Sequence, residues 1–375
     1  MTQQQSNFRL FAVAPPGIEK VVNSELASLG IEGRIRPGGV EFMGGMAALY
    51  TANLWLRTAG RVLLRLGSFR LDSLKEAPER FSRYPWEIYL GRSRKVRIRV
   101  TCRKSRIYHT KALEERLIEG IEMRLSAPLK VVSSRQGASG SAQLIVVRLA
   151  KDRCTLSVDT SGRHLHFRGM KTLSVKAPLR ENLAAAMLLA AGWRPELPLL
   201  DPFCGSGTIL IEAALMAMRI PPGRMRGFAF QKWSNFDQAL WNRILAESDL
   251  RRRPAPAGIY GFDRDGHAVA TALENLAMSG LSDAVRIEKR ELSQISPPAA
   301  RGMMATNPPY GKRLKDSHSL TGLYQEFGEI VRERFPRWKV AMLCPHPVLQ
   351  RAVRLPFRPV CTFSNGGIKV NLLVS

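Results

Sequence analysis

Leu199 to Thr208 reads LLDPFCGSGT and runs into the apolar helical pattern Ile209 to Met218. A short apolar strand that breaks at a Gly-rich turn and resumes as a helix is a βα unit of a parallel α/β sheet. Gly205 and Gly207 let the backbone approach a ligand, and the helix start offers free N–H groups. The pattern departs from the dinucleotide fingerprint: a third Gly is missing at the expected offset, and Asp201 opens the turn. A carboxylate beside a helix N-terminus suits a ligand with a cationic amino-acid end better than a pyrophosphate. S-adenosylmethionine is such a ligand, with Asp201, Pro202, Phe203, Gly205, Ser206, Gly207 and Thr208 as candidate contacts. The bland alternative is an ordinary tight strand-to-helix turn.

Working outward, Gly258 to Asp263 (GIYGFD) is a second strand ending in an acid. In a doubly wound sheet such a carboxylate accepts hydrogen bonds from ribose hydroxyls, which makes Asp263 the candidate. Its competing role is a helix cap, which Asp265 can take instead. A third strand, Val285 to Glu288, leads to Glu291, a candidate for the adenine end. Next comes RGMMAT, Arg301 to Thr306, followed by Asn307, Pro308, Pro309 and Tyr310. An exocyclic amine is a poor nucleophile because its lone pair is delocalised into the ring. The Asn307 side-chain oxygen and the Pro308 carbonyl are acceptors for its two hydrogens, aiming the lone pair at an electrophile. The prolines stiffen the turn, and Tyr310 offers a face for a base taken out of its stack. Asn307 is also a candidate cofactor contact.

DPFCGSGT, GFD and NPPY together resemble an S-adenosylmethionine-dependent amino-methyltransferase. With FAFQKW at Phe228 to Trp233, Trp241, and APLRENLAAAMLLAAGW at Ala177 to Trp193, the chain resembles the THUMP-domain RNA methyltransferases that make N2-methylguanosine. The bacterial enzymes acting on large-subunit ribosomal RNA are the nearest pattern. The resemblance implies a Rossmann-like α/β domain, doubly wound and mostly parallel with a reversed terminal strand. It is preceded by an α+β ferredoxin-like module and a THUMP domain, with divisions at 1–59, 60–160 and 161–375. It also places Lys176 to Glu181 near the cofactor, with Arg180, Glu181 or Asn182 at its methionine end.

A length of 375 residues predicts two or three domains, and a net charge of +26 predicts a polyanionic partner. A membrane surface is the other polyanion, but the longest apolar run, Leu183 to Ala191, is far too short to span one. The start MTQQQSNFRLF has no export-signal pattern, and five scattered cysteines form no C-x-x-C pair. These features predict a cytoplasmic protein with reduced thiols and no metal site.

At the N-terminus, Phe8 to Ala14 reads as a strand, with helices over Gly17 to Leu29 and Met46 to Leu56. In Lys95 to Val100, KVRIRV, the alternation puts Val96, Ile98 and Val100 on one face and Lys95, Arg97 and Arg99 on the other. Arg92, Arg94, Arg103, Lys104 and Arg106 surround it, and nearby acids are too few to balance them. This is the candidate RNA surface, read by shape and phosphate position because aromatics are not interleaved. A helix from Lys111 to Leu125 and strands Gln143 to Ala150 and Arg153 to Asp159 complete the block. His164 and His166 alternate in the connection and read as a strand face or an RNA contact. Pro221 to Ala257 reads as a helical insert with Arg251 to Arg253 exposed and its aromatics in the core, the alternative being Phe230 or Trp233 stacked on substrate, and Lys312 and Arg313 are placed for phosphates of the target nucleotide.

The expected chemistry is in-line attack by guanine N2, with transfer RNA as the alternative substrate. A non-catalytic RNA-binding ribosome assembly factor is the alternative of a different class. A DNA amino-methyltransferase lacks support because no target-recognition region is present. A protein-glutamine methyltransferase leaves the charge of +26 unexplained, and the Gly pattern argues against a nicotinamide enzyme.

Overall fold

The structure is a computed structural model that describes residues 7–91, 94–132, 142–170, 173, 179–256, 258–310 and 317–375, without the side chains of 317–319. Arg92, Lys176, Ala177, Lys312 and Arg313 lie outside the described residues.

The N-terminal sheet is built from β1 (Phe8–Val13), β2 (Gly33–Arg36), β3 (Gly39–Gly44), β4 (Arg61–Arg70), β5 (Lys95–Arg103), β6 (Lys130–Val131), β7 (Gln143–Ala150) and β8 (Arg153–Asp159). Its order is β2-β3-β1-β4-β8-β7-β5-β6, and β5 runs parallel to both its neighbours while the other pairs are antiparallel. Strands on both sides of residue 59 therefore share one sheet, since β4 pairs with β1 as well as β8. The helices Glu19–Ser28 and Met46–Trp55 follow the apolar spacing, and Gly30 leaves the first in a left-handed conformation, φ +74°.

The second sheet contains β9 (Leu199–Asp201), β10 (Ile259–Asp263), β11 (Arg286–Lys289), β12 (Gly302–Thr306), β13 (Trp338–Cys344), β14 (Arg358–Asn365) and β15 (Ile368–Val374). The order β11-β10-β9-β12-β13-β15-β14 is parallel except at β15, which opposes both neighbours. The reversed terminal strand is present as expected. From β9 the chain winds outward through β10 and β11, then returns to the other side of β9 with β12 and β13. The order thus reverses between β9 and β12, and the crevice beyond their carboxyl ends is where such sheets bind ligands.

The helices Glu181–Ala190 and Thr208–Ala217 are apolar nearly all round and pack together, as fits helices buried on one side of a parallel sheet. The insert after them forms a short 3-10 turn, Ala229–Lys232, and the helix Gln238–Leu250. Its aromatics are core: Phe230 stacks on Tyr50 with centroids 4.5 Å apart, and Trp233 donates to the Gln143 side chain at 2.9 Å. They join the two sheets instead of facing a substrate. Arg251 to Arg253 are exposed.

Candidate active site and nucleic-acid face

β9 and β12 lie side by side, with Leu200 opposite Met304, so Asp201 and Asn307 leave the sheet at adjacent carboxyl ends. Thr306 joins them: its hydroxyl donates to Asp201 Oδ1 at 2.7 Å, and that oxygen also accepts the Phe203 N–H at 3.1 Å. Asp201 is 1% exposed, and burial pushes its carboxyl up to about 7, with the nearby charge of Asp263 adding to the effect.

The turn itself needs its glycines. Gly205 and Gly207 sit at φ +55° and +81°, and a Cβ on Gly207 would lie 3.3 Å from the Ala272 Cβ. Gly207 caps the helix Thr208–Ala217 without a capping side chain, which leaves first-turn N–H groups for a ligand. From the next strand, Asp263 Oδ2 accepts the Gly205 N–H at 2.9 Å, and Asp263 Oδ1 accepts that of Asp265 at 3.0 Å. Asp265 in turn caps the following helix through the His267 N–H at 2.9 Å. Pro202 is buried, Ser206 is 7% exposed and Phe203 packs toward Phe327 with centroids 6.0 Å apart. Glu291 is exposed and opens the 3-10 turn Leu292–Gln294.

Asn307 Oδ1 is buried and without a hydrogen-bond partner among the described residues. A buried acceptor left unpaired costs about 1–3 kcal/mol, so this atom is open to a donor that the described residues do not supply. Behind it the corner is fixed: Pro308 is buried, and the Tyr324 hydroxyl donates to the Pro309 carbonyl at 3.4 Å. Tyr310 accepts from Asn365 Nδ2 at 2.8 Å, which anchors its half-buried ring to β14.

A cavity of about 300 Å³ adjoins the turn, lined by Ser206 and Thr208 on one side and His166, Phe167, Arg180 and Glu181 on the other. Burial, reinforced by Glu212, raises the Glu181 carboxyl. The vacant acceptor, the glycine cradle and this cavity fit a ligand such as S-adenosylmethionine.

Residues 168–369 match the RMKL-like methyltransferase domain, and residues 9–63 match the RlmL ferredoxin-like domain. The chain belongs to the RMKL-like methyltransferase family. A putative RNA methyltransferase of Synechocystis is 32% identical over 97% of this chain and 95% of its own length. The ribosomal RNA large subunit methyltransferase K/L of Methylococcus capsulatus is 34% identical over 97% of this chain, which spans only 50% of that relative. Among solved structures, SMU.472, a putative methyltransferase complexed with SAH, superposes with a TM-score of 0.86 at 31% identity, covering 98% of this chain and 97% of its own.

Three contacts of this RMKL-like site were not legible beforehand. Asn275 donates to the carbonyls of Ser206 (3.0 Å) and Leu173 (2.9 Å) and accepts the Leu173 N–H at 2.7 Å, clamping the connection onto the Gly-rich turn. Arg168 and Glu212 form a bidentate pair at 2.8 and 3.0 Å, with side chains 2% and 0% exposed. Arg168 also donates to the Arg57 carbonyl at 2.8 Å, tying the N-terminal unit to the helix of the turn. The third is the Thr306 bond. An Asn inside a helix, an acid in an apolar helix and a Thr before a turn carry no common motif; only the buried acid Glu212 was conspicuous as a polar residue among apolar neighbours.

β5 carries Lys95, Arg99, Arg103, Lys104 and Arg106 exposed at or beside its outer face, while Arg97 is half-buried and its guanidinium is lowered by burial. Arg106 stands 3.7 Å from Asp72. Pairing extends the cationic face: Arg99 is level with Val146, Val146 with Ser157, Ser157 with Arg65, and Arg65 with Arg9. Directly paired residues share a face, so Arg9, Arg65 and Arg99 lie in one row with Arg148 in the row two residues along β7. Glu41 serves three of the arginines there, Arg65 at 2.7 Å, Arg9 at 3.6 Å and Arg36 at 3.8 Å. His164 and His166 lie in a turn, not on a strand: the chain leaves β8 at Asp159, and Arg61 and Arg226 take up the carbonyls that a strand neighbour would have paired. Among the described residues no cluster of three His, Cys, Asp or Glu is spaced to hold a metal, and no helix is long and apolar enough to cross a membrane.

Proposed function

We propose that the chain transfers a methyl group from S-adenosylmethionine to the exocyclic N2 of a guanosine in RNA, with large-subunit ribosomal RNA as the substrate. The observation that carries the reading is the buried, unpartnered Asn307 oxygen at the switch point of a methyltransferase sheet. The names of the relatives support RNA, and so do the chain's net charge of +26 and the row of arginines on the open face of the N-terminal sheet.

Bound beside Gly205 to Thr208, S-adenosylmethionine supplies an electrophilic methyl on a sulfonium. Asp201 and Glu181 meet the cationic amino-acid end, Asp263 the ribose and Glu291 the adenine end. Asn307 Oδ1 and the Pro308 carbonyl accept the two amine hydrogens, and Tyr310 supports the flipped base. No general base is required, because the amine is acidified by alkylation and loses its extra proton to water. The N-terminal sheet, with residues 60–160 as a THUMP-like unit, holds structured RNA through Lys95, Arg97, Arg99, Arg103, Lys104 and Arg106, and Lys312 and Arg313 take phosphates near the target.

The test is incubation with labelled cofactor and total RNA from a strain lacking the protein, followed by nucleoside analysis. Label in N2-methylguanosine of large-subunit RNA is expected. Label in transfer RNA would move the substrate, and label in N6-methyladenosine or only in protein would overturn the guanine assignment. RNA affinity without cofactor binding would favour the assembly factor.

A further inference from the structure

We propose that the turn 161–168, with its exposed Phe167, is a stacking station for an unpaired nucleobase of the RNA, set between the cationic sheet face and the cavity of the Gly-rich turn. The proposal deepens the RNA reading above and rests on it.

The rings form a continuous run. His164 and His166 stack with centroids 5.3 Å apart and planes 23° apart, and His166 and Phe167 follow at 4.3 Å and 37°. Phe167 remains 40% exposed, and the Arg163 guanidinium stands 4.5 Å from its ring centre. An aromatic that only filled the core would be covered, as Phe228, Phe230 and Trp233 are.

The backbone of the turn is held by cations from behind. Arg226 donates to the carbonyls of Ser161 (3.0 Å), Arg163 (2.8 Å), His164 (2.6 Å) and Phe167 (2.9 Å). Arg168 takes the Leu165 carbonyl at 3.0 Å, and Arg61 takes that of Gly162 at 2.5 Å. With so many carbonyls turned inward, the rings are fixed in place before any base arrives, which lowers the ordering cost of stacking.

Arginines crowd the rings, two of them already paired, Arg61 with Asp159 and Arg168 with Glu212. Arg61, Arg97 and Arg180 act on His164, and Arg168, Arg180 and Arg226 act on His166. Burial first, then these neighbours and His164, hold His166 at about 3, so at neutral pH it presents an uncharged face. Arg97 belongs to the cationic face of β5, whereas His166 and Phe167 share the cavity with Ser206 and Thr208. A strand crossing from one to the other passes over this run. Aromatic planes flanked by guanidinium groups hold single-stranded bases by stacking, with phosphates on the cations.

The test compares wild type with Phe167→Ala, Phe167→Leu and Phe167→Trp, using a stem-loop RNA with an unpaired loop and a blunt duplex of equal length. Phe167→Ala should weaken stem-loop binding about tenfold and leave duplex binding unchanged, as expected for loss of one stacked base. With binding measured in the absence of cofactor, its salt slope should stay at the wild-type value, whereas Arg163→Gln should lower the slope by about one. Phe167→Trp should restore binding, and Phe167→Leu, which keeps apolar bulk, should not. Wild-type stem-loop binding by both ring-less variants, or an equal loss on the blunt duplex, overturns the station. A wild-type protein that binds neither RNA refutes the RNA reading itself.

Discussion

Asp201 combines full burial with a carboxyl held at about 7, against an ordinary value of 3.8. The folded form therefore keeps a proton that the unfolded chain has lost between those values. The contribution favours the fold below the lower value and disappears as the pH rises towards the upper one. Melting curves of ligand-free protein should show wild type losing stability relative to Asp201→Asn as pH rises across that window; parallel curves would refute the shifted carboxyl. A cationic ligand end favours the ionised form, so cofactor binding below that upper value should release a proton. Calorimetry in buffers of different ionisation enthalpy detects the release, and Asp201→Asn should reduce it to the share left by Glu181, whose carboxyl burial also raises.

The Gly-rich turn and its helix are held from three directions: Asp263 from β10, Asn275 from the helix Gly266–Met278, and Arg168 from the connection. Gly207→Ala meets a left-handed φ of +81° and a neighbour at 3.3 Å, and should cost about 1–2 kcal/mol in denaturant unfolding. Cofactor affinity should fall with it, since the cradle itself moves. Arg168→Met leaves Glu212 buried without its partner and should cost about 3–5 kcal/mol. Arg168→Met with Glu212→Leu should recover much of that loss in the same measurement; a double variant no more stable than the single one would contradict the pairing. The strands β9, β10 and β12 and the Gly turn were legible because strand-to-helix switches leave local marks. The buried Arg168–Glu212 pair was not, since its partners are 44 residues apart and nothing local joins them. The alternation of β5 was equally plain, but Arg9 and Arg65 reach the same face only through long-range pairing.

Across the whole molecule, the cationic sheet face and the transfer site are parts of one body, joined by Arg57, Arg168 and the aromatic packing of Tyr50 on Phe230. RNA binding should therefore weaken steeply with salt, and each of Arg65→Gln, Arg99→Gln and Arg148→Gln should reduce the logarithmic slope by about one. These changes should raise the RNA concentration needed for half-maximal rate without altering the rate at saturation. A variant that lowers the saturated rate and leaves the slope intact would place its arginine elsewhere in the mechanism.

The most direct measurement is the single-turnover rate of methyl transfer at saturating cofactor and RNA for Asn307→Ala against wild type. An oxygen that grips the amine hydrogens in the transition state predicts a loss of about 10²–10³-fold, which saturating cofactor does not restore. Transfer by Asn307→Ala at the wild-type rate would contradict the account.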